Sequence, residues 1–209
     1  ADNTTEFQGD ISATGGSESG DGGFAEVSGK ENLLVTGYAD LSADNGNFGT
    51  LLLDPGSVTI QNGSNTNLGF NTFNDAYIAA QLGSSNLTIS TSAASSGNET
   101  ITANGDVNVT WANNSTLQFD AGRNILLNSG SIFSNTSAST GFNAFVLNAN
   151  QATPLTGQFK GIDLNNATVG TVGGNIDFNG RGGGSFGSNI GIYLRNGATI
   201  STINGTVSL

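Results

Sequence analysis

The chain has no cysteine, no histidine and no methionine, and only 2 prolines in 209 residues. Without cysteine there is no disulfide, no thiolate nucleophile and no zinc–thiolate site. Without histidine there is no Ser-His-Asp or Cys-His arrangement and no imidazole metal ligand. Charge is scarce too, at 10% of residues against about 25% in an ordinary soluble domain. Asp and Glu number 16 and Lys and Arg 5, for a net charge of −11. The basic residues Lys30, Arg123, Lys160, Arg181 and Arg195 are scattered, which argues against nucleic acid as a partner. No apolar run approaches the roughly 20 residues of a membrane-crossing helix. The chain starts at Ala1, no basic segment with an apolar run follows, and a strand-like pattern runs to Leu209. It reads as a processed product or an excised piece.

What is plentiful is small and polar, including 32 glycines. Such a composition suits disorder, but 35% of residues are apolar, 12 of them Phe, in short alternating runs. Alternation buries one face of a strand. Strands are expected at 11–13, 24–28, 33–36, 38–41, 49–53, 57–60, 87–91, 100–103, 107–111, 116–119, 125–128 and 131–133. Further ones fall at 144–148, 161–164, 175–178, 190–194, 198–201 and 206–209. Six Asn-Gly pairs, beginning at Asn45, Asn62, Asn104, Asn179, Asn196 and Asn204, are expected to turn the chain through positive φ. Phe70, Phe73, Tyr77, Ile78 and Leu82 fall near helical spacing, with Asn71 or Asn74 as cap and Gly83 as stop. One short helix is predicted over 70–82.

The runs also resemble one another. Gly105-Asp106-Val107-Asn108-Val109 is similar to Gly122-Arg123-Asn124-Ile125-Leu126 and to Gly174-Asn175-Ile176-Asp177-Phe178. Asn128–Ile132 parallels Asn196–Ile200. Imperfect repetition every roughly 15–25 residues predicts a solenoid, whose stacked coils bury a continuous interior. A β-sandwich is the rival, but it favours longer strands and tight hairpins. The fold class is therefore all-β, a single parallel β-helix over 1–209, with about ten coils spanning roughly 45–50 Å.

One stretch is more specific. Gly22-Gly23-Phe24-Ala25-Glu26-Val27-Ser28-Gly29-Lys30 is followed by Leu33, Gly37, Asp40, Ser42-Ala43 and Gly46, then Gly49-Thr50-Leu51-Leu52-Leu53-Asp54-Pro55. This arrangement resembles the large two-partner-secretion exoproteins related to filamentous haemagglutinin, especially the cyanobacterial-type β-helical adhesins. Segments 101–107, 117–125, 173–184 and 192–201 are similar to that family's repeats. The resemblance implies a right-handed parallel β-helix, passage through an outer-membrane transporter, and an extracellular or cell-surface role in adhesion. The Asn-Pro-Asn motif of the family's secretion domain is absent, so the chain would lie downstream of that domain or have lost it.

Residues able to carry chemistry are few. Asp163 and Asp177 with Arg181, or Asp120 with Arg123, provide carboxylates of the kind polysaccharide-cleaving β-helices use, although solvated turns or a local ion pair account for them more simply. Asp10, Glu18, Asp21 and Glu26 offer oxygen ligands for calcium but match no known loop. Gly182–Gly187 imitates a phosphate loop without its Lys-Ser/Thr ending. Asn86, Asn98, Asn108, Asn114 and Asn204 begin glycosylation-type triplets that this composition produces by chance. Asparagines at equivalent turns are expected to stack as hydrogen-bonded ladders inside the solenoid. Phe24, Phe119, Phe133, Phe145 and Phe178 are expected in the core. Trp111, Tyr38 and Tyr193 would be the best members of an exposed sugar-binding row.

The expectation is a structural and adhesive segment, the shaft of an adhesin or a self-associating filament subunit, with surface glycans as potential partners. No catalytic residue, cofactor or metal is assigned. The alternative is a carbohydrate-binding or polysaccharide-cleaving β-helix, with an ice-binding solenoid behind it on short pieces such as Thr100–Thr102.

Overall fold

The computed structural model describes residues 3–91, 98–184, 187 and 189–209. Alternation sets its strands: in Thr50–Asp54 the side chains of Leu51 and Leu53 are buried and those between them half exposed, and Leu117–Ala121 buries Leu117, Phe119 and Ala121 in the same way. One face of each strand needs cover, and stacking supplies it. Phe24–Ser28, Thr50–Asp54, Asn86–Ser90, Leu117–Ala121, Asn143–Ala149, Asn175–Gly180 and Val207–Ser208 line up as one seven-stranded parallel sheet. Between its members the chain visits a six-stranded sheet. There Val58–Gln61, Thr100–Ala103, Asn124–Leu127, Ile162–Asn165 and Ile192–Arg195 follow in order, and Thr72–Asn74 forms the end. A third, four-stranded sheet holds Asn108–Trp111, Ile132–Asn135, Thr168–Thr171 and Thr199–Thr202. Towards the N-terminus Thr4–Phe7 pairs with Asn32–Val35, and Ile11–Ser12 with Ala39–Asp40. The fold is the expected all-β parallel β-helix.

The period differs from the expected one. Ala25 pairs with Leu51, 26 residues on, Leu51 with Leu87, 36 on, and Phe145 with Ile176, 31 on. The chain therefore makes seven strands in its longest sheet, the outermost about 29 Å apart, and not about ten coils. The similar runs mislead because they sit on different faces. Residues 107–109 lead into the four-stranded sheet, Asn124–Leu127 belongs to the six-stranded one and Asn175–Gly180 to the seven-stranded one. Each coil carries three such runs, so counting them shortens the repeat.

Inward positions stack like on like. Leu53, Ile89, Phe119, Leu147 and Phe178 occupy one register column of the seven-stranded sheet, all buried. Phe119 meets Phe133 and Phe145 edge to face, Phe133 and Phe145 stack at 5.1 Å, and Phe145 meets Phe178 edge to face. Each such ring is worth about 1.5–3 kcal/mol of burial. Phe24 is the exception among the five expected core rings: Ala25 and Val27 take the inward parity of its strand, leaving Phe24 outward and 64% exposed.

The helix is shorter than predicted, Asp75–Gln81, because Thr72–Asn74 first pairs with Thr59–Gln61 as a strand. Asn71 turns into that strand at φ 52, and Asn74 is the extended residue before the helix. The helix lies between Ala39–Asp40 and Asn108–Trp111, where a strand of the third sheet would otherwise run, so the ladder there needs other partners. Side-chain amides provide them. Gln81 Oε1 accepts from Ala39 N (3.0 Å) while its Nε2 donates to Ala39 O (2.5 Å), as a paired strand would. Asn71 does the same for Leu33 N and Glu31 O, and Asn67 for Asn74 N and Val35 O. On the opposite side buried Asp75 accepts from Asn108 N at 2.9 Å, and also from Gly63 N and Ala76 N.

The Asn-Gly pairs turn the chain by a different means. Only Asn196-Gly197 has both residues at positive φ, 56° and 86°. Among the described residues the other positive-φ asparagines are Asn71, Asn150 and Asn166, none followed by glycine. Glycine is needed elsewhere because successive coils touch at their corners. At Gly49 a Cβ would lie 2.0 Å from Gly23 O.

Gly49→Ala should therefore destabilise by about 3 kcal/mol or more. Gly170→Ala, whose Cβ meets nothing nearer than Ser201 Oγ at 3.8 Å, should stabilise by up to about 1 kcal/mol. Urea unfolding of both variants checks the pair. Burial is the largest cause raising the Tyr77 phenol above its ordinary 10.0, with Tyr38 and Asp10 adding to it. Stability should be full below pH 10 and decline above it, where the unfolded chain releases a proton that the folded chain keeps. Tyr77→Phe loses the 3.0 Å bond to Gly37 O, about 1 kcal/mol at neutral pH, and should flatten that alkaline decline.

Candidate functional site

Chemistry has to come from outward positions, because the interior is filled. In Ile162–Asn165 the inward residues are Ile162 and Leu164, so Asp163 points out. It is nevertheless 6% exposed, because long side chains close over it. Arg195 Nε donates to Asp163 Oδ1 at 2.9 Å, and Lys160 Nζ lies 3.3 Å from Oδ2. The hydrogen bond to Asp163 is the main cause holding the Arg195 guanidinium above its ordinary pKa. Tyr193 is the register partner of Asp163 on the next strand, and its ring carries the Lys160 ammonium at 3.9 Å. One step back along the chain, Phe159 is buried beneath the Arg123 guanidinium, 4.7 Å from the ring centroid. Beside these groups lies an open recess of about 400 Å³, lined by Asn124, Leu126, Gln158, Phe159, Lys160 and Asp163.

Asp177 is not part of this group. It projects from Asn175–Gly180 of the seven-stranded sheet, in register with Val146 and Ser208, whereas Asp163 belongs to the six-stranded sheet. The cations on Asp163 are Lys160 and Arg195, not Arg181. Asp120 and Arg123 also part company. Asp120 accepts from Gln118 Nε2 and from Asn148 Nδ2, both at 2.7 Å, while Asn179 Nδ2 donates to Asn148 Oδ1 at 3.0 Å. Asp120, Asn148 and Asn179 thus form a ladder, and Asn165–Asn196 forms another at 2.7 Å, but both run along outward positions and not inside the solenoid as expected, because the interior column is filled by apolar side chains.

The remaining candidates are absorbed locally. Asp10 accepts from Tyr38 N, Asp21 from Asn47 N and Glu26 from the Ser28 hydroxyl, while Glu18 is exposed. No group of three or more carboxylates comes together among the described residues. Gly183 packs against the segment leading to the recess, its N donating to Phe159 O at 3.1 Å; Ser185 and Phe186 of the same glycine-rich run lie outside the described residues. Trp111 is buried with its Nε1 on Ser115 O, Tyr38 stacks on Tyr77 at 5.1 Å, and Tyr193 is covered by Lys160, so the three form no row. Asn98, Asn108, Asn114 and Asn204 are exposed, whereas Asn86 bridges Phe48 O and Thr116 N. Thr100 and Thr102 lie on the six-stranded sheet, where Leu126 and Asp163 interrupt the outward column of Thr102.

Sequence reasoning missed the roles of Lys160, Arg195 and Asn124. Arg195 follows Asp163 by 32 residues, one coil, so a correct period would have paired them.

Comparison with family models, curated proteins and solved structures finds no match to this chain.

Asp163→Asn should lower stability by clearly more than the roughly 0.5 kcal/mol scatter of outward substitutions, because it removes the carboxylate between two cations. Asp177→Asn should stay within that scatter. Urea unfolding at pH 7 checks both.

Proposed function

We infer that this chain is a rigid structural segment of a secreted bacterial β-solenoid, acting as the shaft of an adhesin or as a subunit of an extracellular filament. The observation that carries the reading is the pairing at the coil ends. The strands Ile192–Arg195, Thr199–Thr202 and Val207–Ser208 each have one paired edge and one open edge. The inward positions of this last coil, Ile192, Ile200 and Val207, are more exposed than their buried counterparts Ile162, Val169 and Ile176, the first two partly and Val207 to 41%. An open edge over a partly uncovered apolar row accepts a further coil, from the same polypeptide or from a second copy. The likeness of 22–55 to filamentous haemagglutinin-type exoproteins supports a two-partner-secretion route and a cell-surface location. The lack of cysteine suits a chain threaded unfolded through an outer-membrane transporter. The reading assigns no catalytic role, and Asp163 and Asp177, the carboxylate pair of a hydrolytic alternative, stand on different sheets.

Electron cryo-microscopy of the purified chain tests it. Rods longer than one copy, with an axial repeat of about 4.8 Å, are the expected result. Val207→Lys should shorten or abolish them, while Thr110→Lys, on an outward position of the third sheet, should not. Uniform single copies at every concentration, with no binding to cell surfaces, would overturn the filament and adhesive readings together.

A further inference from the structure

We propose that the recess beside Lys160 and Asp163 binds a hexuronate unit of an acidic polysaccharide. The inference is independent of the shaft reading and concerns what the side of the solenoid recognises.

Charge makes this place unlike the rest of the molecule. The chain carries −11 overall, yet Lys160 and Arg195 meet here on one buried carboxylate, and a third of its five basic residues, Arg123, lies over Phe159 in the wall of the recess. Asp163 takes one donor direction from each of two cations. An ammonium has three donors and a guanidinium five, so both retain donors suited to a ligand carboxylate. An anionic polymer repelled by the rest of the surface would be drawn to this spot.

The same contacts argue against other ligands. Neutral sugars are commonly recognised by stacking on an open aromatic face, but Lys160 covers Tyr193 and Arg123 covers Phe159. Nucleic acid needs a line of phosphate contacts, and the cations here form a single knot. Hydrolysis needs a second carboxylate across the bond, and Asp177, the expected one, is on another sheet.

The polar lining fits a polyhydroxy ring. Asn124 and Gln158 contribute amides and Leu126 an apolar surface for ring C–H groups. The recess of about 400 Å³ lies within the 300–1,000 Å³ typical of ligand pockets. Asn124 is 8% exposed and its Oδ1 has no hydrogen-bond partner. A buried acceptor left unmet costs about 1–3 kcal/mol. Outward of the recess, Thr102 and Thr59 continue the same register column along the stack, offering hydroxyls to neighbouring units.

Titration calorimetry with α-1,4-linked trigalacturonate, trimannuronate and neutral maltotriose tests the proposal. At least one uronate trimer should bind and maltotriose should not. Lys160→Gln should weaken uronate binding about tenfold by removing a charge-assisted donor. Asn124→Asp, nearly isosteric, should weaken it similarly by placing a carboxylate in the lining. Lys30→Gln, on a distant coil, should leave it unchanged. Thermal melting establishes that each variant is folded, and Asn124→Asp carries the test if Lys160→Gln does not fold. Equal binding of maltotriose, no binding of either uronate trimer, or full-strength binding by a folded variant at Lys160 or Asn124 would each overturn the site. Rod formation is not a readout here, so failure of the shaft reading leaves this result interpretable.

Discussion

Backbone hydrogen bonds between successive coils hold them about 4.8 Å apart, and every other feature has to fit that spacing. Side chains at matching positions become neighbours along the stack, so like must tolerate like. Apolar residues satisfy this inside, as the column from Leu53 to Phe178 shows. Outside, a repeated charge would repel its own copy one coil away. Amides avoid the problem because each both donates and accepts, which is why Asn148 sits between Asp120 and Asn179. Low charge, abundant asparagine and glycine at the corners are three consequences of one distance.

The insertion around residues 62–85 shows what happens when the spacing cannot be kept. A helix is about 10 Å wide with its side chains and cannot replace a strand rung for rung. The gap is bridged by Gln81, Asn71 and Asn67, each presenting the donor and acceptor of a peptide group. Asp75 closes the other side on Asn108 N. Edge groups that would otherwise be buried without partners are thereby satisfied.

The fold was legible because alternation survives in single sequences. Phe24–Ser28 has the expected bounds, and its neighbours differ by a residue or two. Thr4–Phe7 was missed because it offers one apolar residue, and Thr168–Thr171 because Gly170 breaks a run whose only buried apolar member is Val169. The site was much less legible. Asp163 stood out as an acidic residue, but the cations that define its surroundings come from its own turn and from the next coil. Only the period relates Arg195 to Asp163, and the period is obscured by three similar runs per coil. Phe24 illustrates the other failure: composition marks it as core, and parity places it outside.

The bridging amides also bear on mechanics. In a solenoid the interstrand hydrogen bonds run along the long axis, so a pull on the ends loads coil interfaces one after another, in series. A series chain yields at its softest link. Most interfaces here share their load over several backbone ladders, whereas the interface spanned by Gln81, Asn71 and Asn67 keeps the ladder between Thr50–Asp54 and Asn86–Ser90 and replaces others with rotatable side chains. Under tension that joint should open first, dividing the rod near its N-terminal third and leaving the longer, continuously paired stack intact.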